Sequence, residues 1–234
     1  MTTTLEARGR LPLSPTFSRK RERGQTRSAL VLIGGLYAIT PECADTGRLL
    51  QLVERALSGG ARLVQYRNKQ GDTALRHEQA SELLALCKRF RAPLIINDDL
   101  RLADLSGADG VHLGKDDGGI REARFILGPG KIIGVSCYND LQRAREAQEQ
   151  GADYAAFGSF FASSTKPGTV IAPLNLLREA KQDLRIPVVA IGGITPDNAH
   201  VLIESGADAL AVVSALFDSA DVRAAAEKFS RLFI

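Results

Sequence analysis

The chain has 234 residues, of which 44% are hydrophobic, so it can bury a large core as one α/β domain or as two small domains. Three scattered cysteines without metal-ligand spacing argue against a disulfide scaffold and a zinc site, and they predict a reduced, cytoplasmic protein. No apolar run approaches the roughly 18 residues of a membrane span, so we expect a soluble protein without membrane contacts.

The net charge of +3 is concentrated at one end of the chain. Residues 1–28 hold seven of the basic residues and two of the acidic ones, which leaves a balance of −2 for the rest. Prolines at 12 and 15 and the lack of apolar periodicity predict a disordered basic tail over residues 1–29. An Arg-rich start is also typical of an organelle transit peptide, whereas the lack of interleaved aromatic residues argues against nucleic-acid binding.

Over residues 30–234, short apolar runs alternate with segments of helical period. The runs predict eight strands, at residues 36–39, 63–66, 94–96, 110–113, 132–135, 154–157, 188–191 and 209–213. Between the fifth and sixth, Asn139 and Gln142 have the spacing of a capping box, and Gly151 stands where that helix should end.

A weak internal repeat indicates how these elements are combined. Gly-Ala-Arg at 60–62 and Gly-Ala-Asp at 107–109, 151–153 and 206–208 each precede a strand of even number. The repeating unit is therefore β-α-β-α, and eight such strands with helices between them predict a single parallel (β/α)8 barrel. The alternative is a doubly wound open sheet, which usually has a glycine-rich fingerprint after its first strand; residues 36–41 have none.

Barrel geometry predicts that chemistry lies just after the carboxyl end of each strand. Polar residues do cluster at those positions. In chain order they are Gln65, Arg67 and Lys69; Asn97, Asp98 and Asp99; His112, Lys115, Asp116 and Asp117; Ser136; residues 163–168; and Ser214.

The charges at these positions suggest a phosphorylated substrate. Arg67, Lys69 and Lys166 can neutralise an oligophosphate. Asp98 and Asp117 would then be out of place unless Mg²⁺ bridged them to the phosphates, a combination that favours departure of diphosphate over hydrolysis. The alternative interpretation is that these carboxylates cap the helices that follow them.

A second phosphate site is predicted after the seventh strand, where Gly192 and Gly193 follow an apolar run. Thr195 is a natural N-cap and Pro196 suits the first helical position, so backbone N–H groups of Gly193 and Ser214 could surround one phosphate. Alternatively, the glycines only allow a strand-to-helix turn.

Other chemistries have less support in the sequence. Ser136 is not in a G-x-S-x-G motif, which argues against a hydrolytic triad. Cys137 has no evident base beside it and is interpreted as a small packing residue, and His112 as either a packed histidine or a general base.

Several motifs occur together in one order: Leu-Tyr-Ala-Ile-Thr-Pro at 36–41, Gln-Tyr-Arg-Asn-Lys at 65–69, Ile-Asn-Asp-Asp at 96–99, Gly-Val-His-Leu-Gly at 110–114, Gly-Val-Ser at 134–136, residues 158–166, Gly-Gly-Ile at 192–194 and Val-Ser at 213–214. From about residue 36 to 216 the chain resembles the thiamine phosphate synthase family. The resemblance implies a TIM barrel transferase of thiamine biosynthesis. It would join a hydroxymethylpyrimidine diphosphate to a thiazole phosphate, with Mg²⁺, by a dissociative reaction.

The resemblance also implies residue roles. The pyrimidine diphosphate would be held by Gln65, Arg67, Lys69, Asn97, Ser136 and Lys166, of which Arg67, Lys69, Ser136 and Lys166 would be catalytic. The metal would be held by Asp98 and Asp117. The thiazole phosphate would be contacted by Ser163 and Thr165 and by the backbone of Gly193, Val213 and Ser214.

The chain departs from the family pattern in three places. Lys115 replaces the usual Gln, Ser163 a usual Thr, and Cys137-Tyr138 a common Ala-His pair. Two other functions remain open: a thiazole tautomerase with the same barrel, which tends to lack the Asn-Asp-Asp metal site, and a non-catalytic barrel that binds a phosphorylated ligand. The sequence does not settle the oligomeric state, so a homo-oligomer remains open.

Overall fold

The computed structural model describes Met1 and residues 33–162 and 170–234. Its strands are β1 Gly35–Ile39, β2 Leu63–Tyr66, β3 Leu94–Asn97, β4 Gly110–Leu113, β5 Ile132–Tyr138, β6 Tyr154–Phe157, β7 Val188–Ile191 and β8 Ala209–Val212. Its helices are α1 Thr46–Ser58, α2 Thr73–Phe90, α3 Leu100–Ser106, α4 Ile120–Leu127, α5 Leu141–Glu149, α6 Asn175–Asp183, α7 Ala199–Glu204, α8 Ser214–Phe217 and α9 Val222–Ser230, followed by a 3-10 helix at Arg231–Phe233. The basic tail predicted for residues 1–29 lies, apart from Met1, outside the described residues.

The eight strands form a closed parallel barrel in chain order, with β1 paired to both β2 and β8. The predicted TIM barrel is confirmed, and the open doubly wound sheet is wrong. Strand β5 is longer than predicted because it continues through a register shift between Ser136 and Tyr138. None of the described helices combines the length and apolar character that a membrane span requires.

The core has two layers, separated by the barrel wall. One layer fills the barrel and contains Tyr37, Leu63, Ile95 and Tyr154. The larger layer lies between the outward faces of the strands and the helices. Because each strand is buried on both faces, it reads in the sequence as a continuous apolar run.

The Gly-Ala-Asp repeat has a structural cause at the amino-terminal end of the barrel. In each repeat the aspartate carboxylate accepts a hydrogen bond from a backbone N–H at the start of the preceding odd-numbered strand. The three pairs are Asp109 with Leu94, Asp153 with Ile133 and Asp208 with Val188, at 2.9, 2.7 and 2.8 Å. The repeat thus joins β3, β5 and β7 to the segments that lead into β4, β6 and β8.

Two predicted helix starts are wrong by one to three residues. Helix α5 is capped by Asp140, whose carboxylate accepts from the Arg143 N–H at 3.0 Å, and not by Asn139. Helix α7 begins at Ala199 and not at residue 196, because the Asn198 side chain accepts from the Thr195 N–H at 2.8 Å and donates to the Gly193 carbonyl at 3.0 Å. These bonds close a turn where the first helical residues were predicted.

Candidate active site

The loop between β2 and α2 carries Arg67 and Lys69, and the loop after β1 holds it in place. The Thr40 hydroxyl, 1% exposed, accepts from the Arg67 N–H at 2.9 Å and donates to the Arg67 carbonyl at 3.2 Å. The Glu42 carboxylate accepts from Arg67 Nη1 at 2.9 Å. Both predicted cations are therefore presented at the carboxyl end of the barrel by a loop with a defined conformation.

A buried glutamine supports the same loop from helix α2. Gln79 Oε1 accepts from the Tyr66 hydroxyl at 2.8 Å and from Asn68 Nδ2 at 3.1 Å, and its amide donates to the Cys43 carbonyl at 2.9 Å. Its side chain has 0% exposure, so these bonds satisfy both ends of a buried amide. Gln79 was not predicted as part of the site, because a single glutamine in a helical segment gives no pattern that would identify it.

Lys69, Asp98 and Asp117 form a charged cluster after β2, β3 and β4. Lys69 Nζ lies 3.0 Å from Asp98 Oδ2, and Asp117 is close enough for the two carboxyl groups to influence each other's pKa. Burial works to raise the pKa of Asp98, but the interactions with Lys69 and Asp117 outweigh it and hold this pKa below its usual value. Burial and the adjacent Asp98 carboxylate raise the pKa of Asp117. One carboxyl group of the pair is thus held ionised while its neighbour retains a proton more readily.

The alternative interpretation, that Asp98 and Asp117 cap the helices that follow them, is wrong, and a neighbouring aspartate has this role. Asp99 caps α3 by accepting from the Leu102 N–H at 2.9 Å. Asp98 instead has φ of 62° and turns toward Lys69, while helix α4 has Gly119 at its N-cap position and no side-chain cap. Neither Asp98 nor Asp117 caps a helix, although Asp117 Oδ2 accepts from the Gly114 N–H at 2.8 Å within its own loop.

A cavity of about 330 Å³ opens beside this cluster, and it is lined by Asn68, Lys69, Arg76, Asn97, Asp98 and Asp99. Arg76 Nη1 lies 3.2 Å from Asp99 Oδ2, and its buried Nε has no hydrogen-bond partner among the described residues. The cavity is polar and carries both charge signs. Within residues 33–162 and 170–234, no three His, Cys, Asp or Glu side chains gather to hold a metal ion by themselves.

A chain of hydrogen bonds crosses the interior of the barrel and joins two predicted substrate residues, Gln65 and Ser136. Gln65 Nε2 donates to the Tyr37 hydroxyl at 2.9 Å, which lies 2.8 Å from the Tyr154 hydroxyl. The Tyr154 hydroxyl lies 2.9 Å from His112 Nδ1, and His112 Nε2 lies 2.8 Å from Ser136 Oγ.

One end of this hydrogen-bond chain has a fixed direction, because the Gln65 amide donates to the Tyr37 hydroxyl. Either tyrosine hydroxyl can donate to the other, and the tautomer of His112 decides which ring nitrogen donates.

The two tyrosines were not predicted as part of the site. Burial raises the pKa of both Tyr37 and Tyr154 well above the ordinary value, so neither phenol ionises at physiological pH. Their rings meet edge to face with centroids 5.9 Å apart, and the His112 ring stacks on Tyr154 at 5.6 Å. His112 is therefore a packed, hydrogen-bonded residue of the barrel interior. The sequence did carry a signal for them, since each is a tyrosine in an otherwise apolar strand.

The ends of β7 and β8 bring Gly193, Val213 and Ser214 to one part of the rim. Ile191 pairs with Ala211, and Gly193 and Val213 each follow two residues further along the chain. Gly193 has φ of 62°, and a Cβ there would lie 2.3 Å from the Ala162 carbonyl oxygen. The predicted cradle residues thus follow two neighbouring strands, and Gly193 is also required by the close approach of the segment after β6.

Three predicted site residues, Ser163, Thr165 and Lys166, lie outside the described residues. Cys137 is buried, and this burial raises the pKa of its thiol to about 12, as suits a packing residue. The remaining predicted residues are brought together at the carboxyl end of the barrel or in its interior.

Comparison with known proteins identifies the family. Residues 36–216 match the family described as thiamine monophosphate synthase. The chain is 64% identical over 200 residues to thiamine-phosphate synthase of Thiobacillus denitrificans, covering 86% of this chain and 95% of that one. It is 57% identical over 201 residues to the enzyme of Nitrosospira multiformis, covering 86% of each chain.

Solved structures agree with the sequence comparisons. Thiamine phosphate pyrophosphorylase from Pyrococcus furiosus is 37% identical with a TM-score of 0.77, covering 87% of this chain and 97% of that one. A 3-hexulose-6-phosphate synthase, 19% identical with a TM-score of 0.62 over 85% of this chain and 99% of that one, shares the fold alone. The chain therefore belongs to the thiamine monophosphate synthase family, and it is a transferase that forms thiamine phosphate.

Proposed function

We propose that, in forming thiamine phosphate, this chain binds the pyrimidine diphosphate on Arg67, Lys69 and Asn97 and expels its diphosphate with the help of Mg²⁺. The observation that carries the proposal is the Lys69–Asp98–Asp117 cluster beside the 330 Å³ cavity. Cations beside a pair of neighbouring carboxylates suit a substrate that brings both negative charge and a metal ion. The cofactor would be Mg²⁺.

The donor set fits that ion. Mg²⁺ prefers oxygen ligands and is commonly held by one or two carboxylates together with substrate phosphates and water. Asp98 and Asp117 supply two carboxylates, and the repulsion between them that raises the pKa of Asp117 would be relieved by a cation. When bound, Mg²⁺ would neutralise charge that develops on the leaving diphosphate.

The residues of the chain would then stabilise the charge that develops in the reaction and hold the substrates in position. In the proposed dissociative reaction the C–O bond to the diphosphate breaks first, and the electron-rich aminopyrimidine carries the positive charge until the thiazole nitrogen attacks. Arg67 and Lys69 would stabilise the departing diphosphate, and no protein nucleophile is needed. Lys166 would add a third cation to this set.

The pyrimidine ring would lie over the interior hydrogen-bond chain. Gln65 and Ser136 stand at its two ends and are held in place by their hydrogen bonds to Tyr37 and His112. Fixed polar groups of this kind orient a substrate without reorganising during the reaction.

The second substrate would bind after β7 and β8. The backbone of Gly193, Val213 and Ser214 would hold the phosphate of the thiazole, with Ser163 and Thr165 as further contacts. We also place the reaction in the cytoplasm, since Cys43, Cys87 and Cys137 are all free thiols.

The test supplies both substrates and follows thiamine phosphate and diphosphate with and without Mg²⁺. We expect product only with the metal, and we expect Lys69→Ala and Asp98→Asn each to lower kcat by about 100-fold or more. Lys88→Ala, on the exposed face of α2, is the matched control and should retain the wild-type rate. Full activity without a divalent cation, or in both site variants, would contradict the proposal; isomerisation of the thiazole phosphate alone would indicate a tautomerase.

A further inference from the structure

Glu42 lies in the loop after β1 and binds three donors of the loop after β2. Its Oε1 accepts from Arg67 Nη1 at 2.9 Å and from the Lys69 N–H at 3.2 Å. Its Oε2 accepts from the Lys69 N–H at 3.0 Å and, more distantly, from the Gln70 N–H at 3.4 Å. One carboxylate therefore contacts both the side chain of one proposed diphosphate ligand and the backbone of the other.

The other contacts to this loop do not fix the Arg67 guanidinium. Thr40 binds only the backbone of Arg67, and Gln79 binds the Asn68 side chain. Among the described residues, Glu42 is thus the group whose hydrogen bond sets the direction of the Arg67 side chain. The Arg67 side chain is 24% exposed and that of Glu42 is 30% exposed, so the pair is partly shielded from water.

A carboxylate at this position carries an electrostatic cost. If Arg67 and Lys69 bind a diphosphate, Glu42 places a negative charge close to a polyanion, which by Coulomb repulsion alone would weaken binding. A partly exposed ion pair of this kind would contribute little to folding to offset this cost. The three-donor geometry provides the offset, since a guanidinium and a loop that are already oriented lose less conformational entropy when the ligand binds.

We infer that Glu42 is a positioning residue that fixes Arg67 and Lys69 for the diphosphate of the pyrimidine substrate. The inference rests on the proposed function of those two cations. Glu42 acts through Arg67 and the loop backbone, without contacting the substrate. Its effect is therefore specific to the diphosphate substrate, because within the described part of the chain its hydrogen bonds go to residues 67–70 and not to the cradle after β7 and β8.

The test compares Glu42→Gln and Glu42→Asp with the wild type. Gln removes the charge but keeps the length; Asp keeps the charge but is one methylene too short to reach all three donors. We expect both variants to weaken binding of inorganic diphosphate, measured by calorimetry with Mg²⁺, and to raise KM for the pyrimidine diphosphate. For Glu42→Gln we expect about a tenfold change in both the diphosphate affinity and this KM, as for the loss of one charge-assisted hydrogen bond. KM for the thiazole phosphate should stay unchanged.

The sign of the change in diphosphate affinity distinguishes a positioning role of Glu42 from simple charge repulsion. If Glu42 only repelled the ligand, Gln would bind diphosphate more tightly than the wild type and Asp would behave like the wild type; either result would overturn the inference. The matched control is Glu54→Gln, which removes a 3.0 Å ion pair with Arg89 on the outer helices and should change neither constant. Thermal unfolding of each variant establishes that it is folded.

A double variant tests whether Glu42 acts through Arg67. In an Arg67→Ala background, Glu42→Gln should reduce diphosphate affinity by less than its tenfold effect in the wild type, because only the contacts with the loop backbone remain to be lost. A full further tenfold loss would contradict a route through Arg67. The wild-type assay keeps the two proposals distinct. If the wild type binds diphosphate but forms no thiamine phosphate, the proposed function fails, and the ranking of the Glu42 variants in diphosphate affinity still decides the role of Glu42.

Discussion

Replacing Tyr37 with Phe should destabilise the barrel by removing the centre of its interior hydrogen-bond chain. The hydroxyl accepts from Gln65 Nε2 at 2.9 Å and lies 2.8 Å from the Tyr154 hydroxyl, and both hydrogen bonds are lost. Two hydrogen bonds contribute about 1 kcal/mol each, and leaving the Gln65 amide without its acceptor costs about 1 kcal/mol more. Gln65 is only 3% exposed, so water cannot replace the lost partner. We expect the free energy of unfolding to fall by about 3 kcal/mol.

The measurement is urea denaturation followed by fluorescence or circular dichroism, with the slope of the transition checked for constancy. Tyr138→Phe is the control, because that residue is 45% exposed, so the loss of its hydroxyl should change stability by less than about 0.5 kcal/mol. The reasoning would be refuted if Tyr37→Phe unfolded at the wild-type urea concentration with an unchanged slope. That result would mean that the buried Tyr37 hydroxyl adds nothing to the stability that the aromatic ring provides.

Two further predictions concern packing and thiol chemistry. Gly192→Ala should lower the free energy of unfolding by more than about 2 kcal/mol, because Gly192 has φ of 103° and a Cβ would lie 1.9 Å from Ser159 Oγ. Gly130→Ala, where a Cβ meets nothing within 4 Å, is the control, and equal midpoints in urea would refute the steric reasoning. Iodoacetamide at pH 8 should label the partly exposed Cys43 in the native protein but label Cys87 only after unfolding, because burial raises the pKa of the Cys87 thiol to about 12. Peptide mass spectrometry follows the labels, and rapid native labelling of Cys87 would contradict the burial argument.

The barrel was predictable because its strands are buried on both faces, which gives a strong local signal. A run such as 154–157 is apolar throughout, and its bounds agree with those of β6. Helix starts were less accurate, since Asn139 and Asp140 are adjacent residues that both cap helices well. Which of the two does so depends on the backbone angles of the turn, and local residue type does not determine these.

The site was predictable where residues follow strand ends and less so where they act through other residues. Lys69, Asp98 and Asp117 are brought together as expected, because barrel closure puts the carboxyl ends of β2, β3 and β4 at one rim. Glu42 and Gln79 were missed, because their roles depend on the meeting of two loops and a helix far apart in sequence. An acidic residue after a strand does not indicate, by itself, whether it holds a metal ion or orients a cation.

The glycine pair after β7 shows how one motif can satisfy two demands. The sequence offered a phosphate cradle or a strand-to-helix turn, and the structure adds a steric cause: a Cβ on Gly192 would collide with Ser159, and one on Gly193 with Ala162. The Phe160 and Phe161 N–H groups bind the carbonyls of Ile191 and Gly192, so the segment after β6 runs against these glycines. The glycines therefore position the segment that leads to Ser163, Thr165 and Lys166. A defect at Gly192 would disturb the proposed contacts to both substrates, even if its own backbone touched neither phosphate.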